Sequence, residues 1–208
     1  MAKIKIDELN TLDSSFDYED FIEHYFDPMQ ITRKQKEERK ELARELMDIV
    51  LYFLIWCEEF PDKVQTEEVQ RQFENEYREK VFGFSEPSTF FDVYVPNFIS
   101  TLILTTLKHK GEEYFTSVER AANVAVNESN TVFGHNELEN AKALGKTMKR
   151  WKTELDNKVR PAHQEMESVT IPIDDYFIFE DCMMLYAHDA VNGTPNQIVN
   201  CRCATEYI

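Results

Sequence analysis

Glycine and proline are scarce in this chain of 208 residues, at five and seven copies, which excludes linker-rich, collagen-like and low-complexity organisation. Cysteine is scarcer still. Of four cysteines, Cys201 and Cys203 stand one residue apart, so there is no disulfide framework, and a bridge between those two would close a strained ring. Cations are in deficit: 23 Lys and Arg face 39 Asp and Glu, a formal charge of −16. That balance excludes general coating of nucleic acid, in which each phosphate contact needs a cation. Long hydrophobic runs are missing as well. The longest, Ile49 to Cys57, is nine residues, against the roughly 20 needed to cross a bilayer, so no membrane span is expected. The N-terminus lacks the features of a signal peptide, and a cytoplasm-like compartment is expected. No phosphate loop, nucleophile elbow or paired-histidine zinc helix occurs, so the chain is not expected to be an enzyme.

What is present is material for a folded core: 42% hydrophobic residues, with 15 Phe and 9 Tyr. Apolar residues recur at helical spacing over most of the length. Leu42, Leu46, Ile49, Val50, Phe53, Leu54 and Cys57 form one stripe of a helix over 32–60, with Thr32 as its N-cap and the charged stretch 33–40 solvated. Val69, Phe73, Tyr77 and Val81 predict a second helix over 66–82, ended by Gly83. A third helical stretch begins near Ser88 and is expected to break at Pro96, with a new helix over 97–110. Helices over 112–133 and 136–144 follow.

Beyond Gly145 the period changes to proline, paired acids and short β-branched or aromatic runs such as 169–177. The fold expected is mainly α with a small α+β C-terminal subdomain, a helical body followed by short strands that close on Asn200-Cys201-Arg202-Cys203. The segments expected are an acidic, partly ordered stretch (1–31), a helical body (32–148) and a C-terminal subdomain (149–208).

Polar residues of chemical interest concentrate at the end. Arg160 and His163 are three apart, and Asp156, one turn earlier, is placed to partner Arg160. With Trp151 as a core anchor, and with Asn200 and Arg202, these residues read as a polar network that pins the subdomain. The same residues permit a Zn²⁺ site built from His163, Cys201, Cys203 and one further ligand among Asp156, Cys182 and His188. The alternative is a pair of buried thiols in a closing strand, with Arg202 pointing the other way. A basic island, Lys142, Lys146, Lys149, Arg150 and Lys152, interrupts the acidic chain. It reads either as a solvated face or as a contact patch for an acidic partner.

Taken in order, Trp151, Thr153, Asp156, Val159, Arg160 and His163, then Ile173-Asp174-Asp175 with Phe177, then Asn200-Cys201-Arg202-Cys203, the chain resembles the minor head and head morphogenesis proteins of tailed bacteriophages, typified by protein F of phage Mu. Asn127-Glu128-Ser129-Asn130 and Ala143-Leu144-Gly145 are similar to that family's lead-in. Two places depart from its pattern: Glu167-Ser168 after the histidine turn, and the loop of Tyr186-Ala187-His188-Asp189 and Asn192-Gly193-Thr194-Pro195 before the cysteines. The resemblance implies a structural protein that joins the procapsid in the host bacterial cytoplasm and ends in the virion interior. Its implied partners are the portal protein, other capsid components and the end of the packaged DNA, and its implied roles are head morphogenesis and DNA delivery. The reading from a different class is a metal-dependent hydrolase, nuclease or toxin-type domain built on His163 and the Cys201/Cys203 pair.

Overall fold

Thr32 opens the longest helix with a reciprocal cap: its Oγ1 accepts the Gln35 N–H at 3.3 Å while Gln35 Oε1 accepts the Thr32 N–H at 2.9 Å. The computed structural model describes residues 16–208, and the first fifteen residues of the expected acidic segment lie outside the described residues. The helices are α1 (Tyr18–Tyr25), α2 (Arg33–Glu59), α3 (Glu67–Val81), α4 (Thr89–Lys108), α5 (Val118–Ala143), α6 (Pro161–Met166) and α7 (Pro195–Ile198), with a 3₁₀ turn at Glu113–Thr116. Short antiparallel strands are confined to the C-terminal region: β1 (Met148–Lys152), β2 (Thr170–Pro172), β3 (Phe177–Ile178), β4 (Met183–Met184) and β5 (Ala204–Tyr207). The chain is thus mainly α with a small α+β part.

Two compact units divide the chain: one takes residues up to Ile22 with Glu41–Ala125, the other Glu23–Lys40 with Val126–Ile208. These units do not follow the segments 1–31, 32–148 and 149–208 read from the sequence. Residues 126–143 group with the C-terminal region through polar side chains that a hydrophobic period does not register. Ser129 Oγ donates to the Arg39 carbonyl at 2.8 Å, Thr131 Oγ1 to the His188 carbonyl at 3.2 Å, and Asn130 Oδ1 accepts Arg39 Nε at 3.1 Å. Arg39 and Lys40 are themselves buried, not solvated. Glu137 pairs with Arg39 at 2.9 Å, and Glu23 and Asp27 with Lys40 at 3.0 and 3.1 Å, which compensates the desolvation of both cations.

In the first unit aromatic side chains carry the packing. Phe53 of α2 stacks on Phe73 of α3 with centroids 4.0 Å apart, and Tyr77 meets Phe98 at 5.1 Å. α4 runs unbroken through Pro96. Proline removes one backbone bond, but Phe91, Tyr94, Val95, Ile99, Leu102 and Ile103 are buried on both sides of it, and their packing keeps the helix continuous across the expected break. α4 is long and apolar enough by composition to cross a membrane, and a core helix passes the same test; it packs on α3 through that buried face. Arg120 is buried, donating to Thr106 Oγ1 at 3.0 Å and to the Phe115 carbonyl at 2.6 Å, with its guanidinium 4.5 Å from the Phe115 ring centroid.

In the second unit β1 is the central strand of a three-stranded antiparallel sheet ordered β2-β1-β5, pairing Lys149 with Ile171 on one side and Trp151 with Thr205 on the other. Alternation sends Lys149 and Trp151 inward while Met148, Arg150 and Lys152 stay half-buried. A hairpin of β3 and β4 supplies Phe177 and Met184 to the core around Trp151. α5 also runs unbroken, where two helices were expected to part near Gly134. That glycine sits under Tyr186: a Cβ built on it would lie 2.7 Å from Tyr186 Cδ2 and 3.2 Å from the Ala187 carbonyl oxygen. Its role is close approach, not helix termination.

Lys149 is fully buried and takes no part in a basic contact patch. Its ammonium donates to the Ile173 carbonyl at 2.7 Å and the Leu185 carbonyl at 2.6 Å, and lies 5.5 Å from the Phe177 centroid. Burial lowers its pKa from the ordinary 10.5 to about 8.

Two outcomes follow. Gly134→Ala relieves a helix penalty of about 1 kcal/mol, yet should lower stability in denaturant titrations by about 1–3 kcal/mol through overpacking against Tyr186; a raised midpoint would overturn the close-approach reading. Between the depressed folded pKa of Lys149 and its unfolded value the unfolded chain binds more protons, so this group makes stability rise with pH. From pH 8 to pH 10 the wild type should gain up to about 1.4 kcal/mol per pH unit relative to Lys149→Met, measured by thermal denaturation; parallel pH profiles would show that the amine is not desolvated.

Candidate functional site

Cys201, Arg202 and Cys203 run from the turn at Asn200 up to β5, so the two thiols lie just before the closing strand and not within it, and burial alternates along them. Cys201 and Cys203 are 2% and 3% exposed and turn inward, and Arg202 lies across from them. Its Nη2 donates to both carboxylate oxygens of Asp156, at 3.1 and 3.0 Å. Asp156 therefore partners Arg202 and not Arg160, the assignment drawn from helical spacing. Arg160 is the N-cap of α6, outside the helix proper, and donates to the Val199 carbonyl. Burial pushes the Asp156 carboxyl up, but the Lys158 N–H and Arg202 outweigh it and hold it below the usual range.

Asn200 adopts the left-handed region, φ 54°, which asparagine tolerates better than most residues. Its N–H donates to Asn127 Oδ1 at 3.1 Å, which anchors the turn that aims Cys201 inward. Trp151 is fully buried as a packing anchor, its ring meeting His163 at 5.3 Å, Phe177 at 5.0 Å and Phe179 at 5.3 Å, all edge-on. The expected network of Trp151, Asp156, Arg160, His163, Asn200 and Arg202 is thus several separate pins around an aromatic core.

His163, 1% exposed on α6, is brought to the two thiols. Its Nδ1 lies 3.5 Å from Cys201 Sγ and 3.4 Å from Cys203 Sγ, and the three donor atoms all fall within 4.8 Å of one another. The Cys203 N–H points at Cys201 Sγ at 3.4 Å. The hydrogen bond with the Cys203 thiol holds the Cys201 thiol low on the pH scale, and the same bond together with burial holds Cys203 high. Of the three further ligands suggested by the sequence, Asp156 is engaged by Arg202, Cys182 packs half-buried against the Trp151 core, and His188 donates Nε2–H to the Cys203 carbonyl at 3.1 Å. Among the described residues the cluster contains His163, Cys201 and Cys203 alone.

Several residues that position this cluster carried no sequence signal. On its far side His163 Nε2 meets Gln197 Oε1 at 2.9 Å; Gln197 Nε2 donates to Asp181 Oδ1 at 2.7 Å, and Thr194 Oγ1 to Asp181 Oδ2 at 2.7 Å. Asp189, buried, accepts the N–H groups of Leu185, Val191 and Asn192 and folds the loop that leads to Gln197. Glu167 accepts the Thr153 N–H, Lys152 Nζ and Ser168 Oγ, so the position that departs from the expected pattern ties β1 to the end of α6. Glu154 shares a small cleft with His163, Cys201, Cys203, Lys158 and Arg160, and burial pushes its carboxyl up to about 7. The longer of these bonds, at separations of 13 to 34 residues, leave no periodic trace.

The basic island is largely paired within this unit: Lys142 with Asp174 at 2.9 Å, Arg150 with Glu206 at 3.3 Å and Lys152 with Glu167 at 3.2 Å, while Lys146 is exposed.

The model of the family described as Phage Mu protein F like protein matches residues 66–206. No curated protein and no solved structure matches the chain. The matched stretch takes in α3, α4, α5 and the whole His163–Cys201–Cys203 region, well over half of the sequence, and the family is related to the heads of bacteriophages. The chain belongs to the phage Mu protein F like family.

Proposed function

We propose that this chain is a minor head protein of a tailed bacteriophage or prophage, which binds the portal inside the procapsid, is packaged within the head, and assists head morphogenesis and DNA delivery. The observation that carries this reading is the family match over residues 66–206. Electrostatics supports it. The chain carries a formal charge of −16, and with Lys149 buried and Lys142, Arg150 and Lys152 each beside a carboxylate the basic island offers little free cation to a phosphate backbone. Such a protein can sit beside packaged DNA without being held along it. Protein–protein contact, not nucleic-acid affinity, then places it in the particle, in the host cytoplasm during assembly and in the virion interior afterwards.

One observation favours a second reading, a hydrolytic domain: Glu154, with its carboxyl near neutral pH, lines the same cleft as His163 and the thiols. The two readings separate by experiment. Co-expressed with the portal protein of its own genome, the chain should co-elute with portal rings, and mass spectrometry of purified heads should find it at a small fraction of the major capsid protein. Absence from particles together with no portal complex would reject the head-protein reading. Turnover of DNA, RNA or peptide that disappears in His163→Ala would establish the hydrolytic one.

A further inference from the structure

We infer that His163 Nδ1, Cys201 Sγ and Cys203 Sγ form a Zn²⁺ site with three protein ligands, whose fourth position faces the cleft beside Glu154, Lys158 and Arg160. Zn–S bonds of about 2.3 Å and Zn–N bonds of about 2.0 Å, set at tetrahedral angles, require nitrogen-to-sulfur edges of about 3.5 Å. The two edges in this structure are 3.5 and 3.4 Å. The two nitrogen-to-sulfur edges therefore already match those of a zinc tetrahedron, all three donor atoms lie within 4.8 Å of one another, and Trp151 and Phe179 pack against the imidazole.

The orientation of the imidazole is fixed by a chain that ends on a carboxylate. Asp181 only accepts, so the amide of Gln197 must present its NH₂ to Asp181 and its oxygen to His163. That oxygen accepts from Nε2–H, which leaves the Nδ1 lone pair directed at the two sulfurs. A donor relay of this kind behind a histidine is the arrangement that metal-ligating imidazoles use to hold tautomer and ring plane. The Cys203 N–H aimed at Cys201 Sγ serves the same end, since it favours sulfur in its anionic form. Two thiolates with one imidazole select zinc over the hard cations magnesium and calcium.

When zinc enters, two Zn–S bonds form to the cysteines as thiolates, and the S–H protons that the pair carries leave to solvent. Asp156 is held by Arg202 and Cys182 belongs to the core packing, so neither completes the site. All three ligands line the cleft shared with Glu154. The fourth ligand is accordingly a solvent molecule reached through that cleft.

The test uses the full chain purified from zinc-supplemented cells, with metal measured by inductively coupled plasma mass spectrometry. One zinc per chain is expected in the wild type, in Cys57→Ser and in Cys182→Ser, and less than about a tenth of that in His163→Ala, Cys201→Ser and Cys203→Ser. Gln197→Leu, a change at a positioning residue that touches no metal, should weaken zinc binding by about 10- to 100-fold in a chelator competition, with circular dichroism unchanged. Should the ligand variants fail to fold, cobalt(II) exchanged into the wild type decides: sulfur-to-cobalt charge-transfer bands with tetrahedral d–d bands support the site, and added azide should shift the latter through the fourth position. A metal-free wild type that takes up no cobalt, or full zinc retained in Cys201→Ser, overturns the site. A cobalt spectrum indifferent to azide overturns the open position.

Discussion

One strand of five residues sets the conditions for the C-terminal unit. β1 pairs on both edges, so its inward side chains have nowhere to go except the core, and those side chains are Lys149 and Trp151. A tryptophan there is ordinary packing material. An ammonium is not: burying it without partners would cost several kcal/mol. The structure meets that demand by turning two carbonyls, of Ile173 and Leu185, onto the same nitrogen. The segments that carry these carbonyls flank β3 and β4, so satisfying one cation also fixes the hairpin that closes over Trp151. Trp151 in turn presents its edges to His163 and Phe179 and sets where the imidazole can lie.

The sequence made the helices legible because their signal is local. Val69, Phe73, Tyr77 and Val81 are buried at four-residue steps, and Thr32 caps where a threonine followed three residues later by glutamine should. It misled where a local rule met a distant partner. Pro96 predicts a break, yet the residues around it are held by α3. Separate helices over 112–133 and 136–144 are expected, yet one helix runs through Gly134, and the reason for a glycine there is Tyr186, 52 positions on. Charged residues gave the same difficulty. Arg39, Lys40 and Lys149 look solvated by type, and only the three-dimensional positions of Glu137, Glu23, Asp27 and two carbonyls reveal that they are interior. The N-C-R-C ending was legible for a simple reason: a period of two needs no partner to place both cysteines on one side.

Glu167 and the 186–195 loop show how a departure from an expected pattern can be read physically. Glu167, at a position that departs from the family's pattern, collects three donors, from Lys152 at the end of β1, from Thr153 just beyond it and from Ser168. In the loop that departs from the family's pattern a buried aspartate, Asp189, does the turning with its side chain, accepting the N–H groups of Leu185, Val191 and Asn192. Gly193 remains where the backbone passes closest, since a Cβ there would lie 2.7 Å from the Asp189 carbonyl oxygen. In both places the chain keeps the same construction with different chemistry.

These substitutions explain why the histidine can be held so firmly in a unit with so little regular structure. α6 has six residues and α7 four, too short to be stable helices alone. Their positions come instead from side-chain bonds at their ends: Arg160 on the Val199 carbonyl, Gln197 between His163 and Asp181, and Asn200 on Asn127. Each bond crosses between segments far apart in the chain, so none forms until the others have nearly formed. A region assembled this way has one arrangement or none.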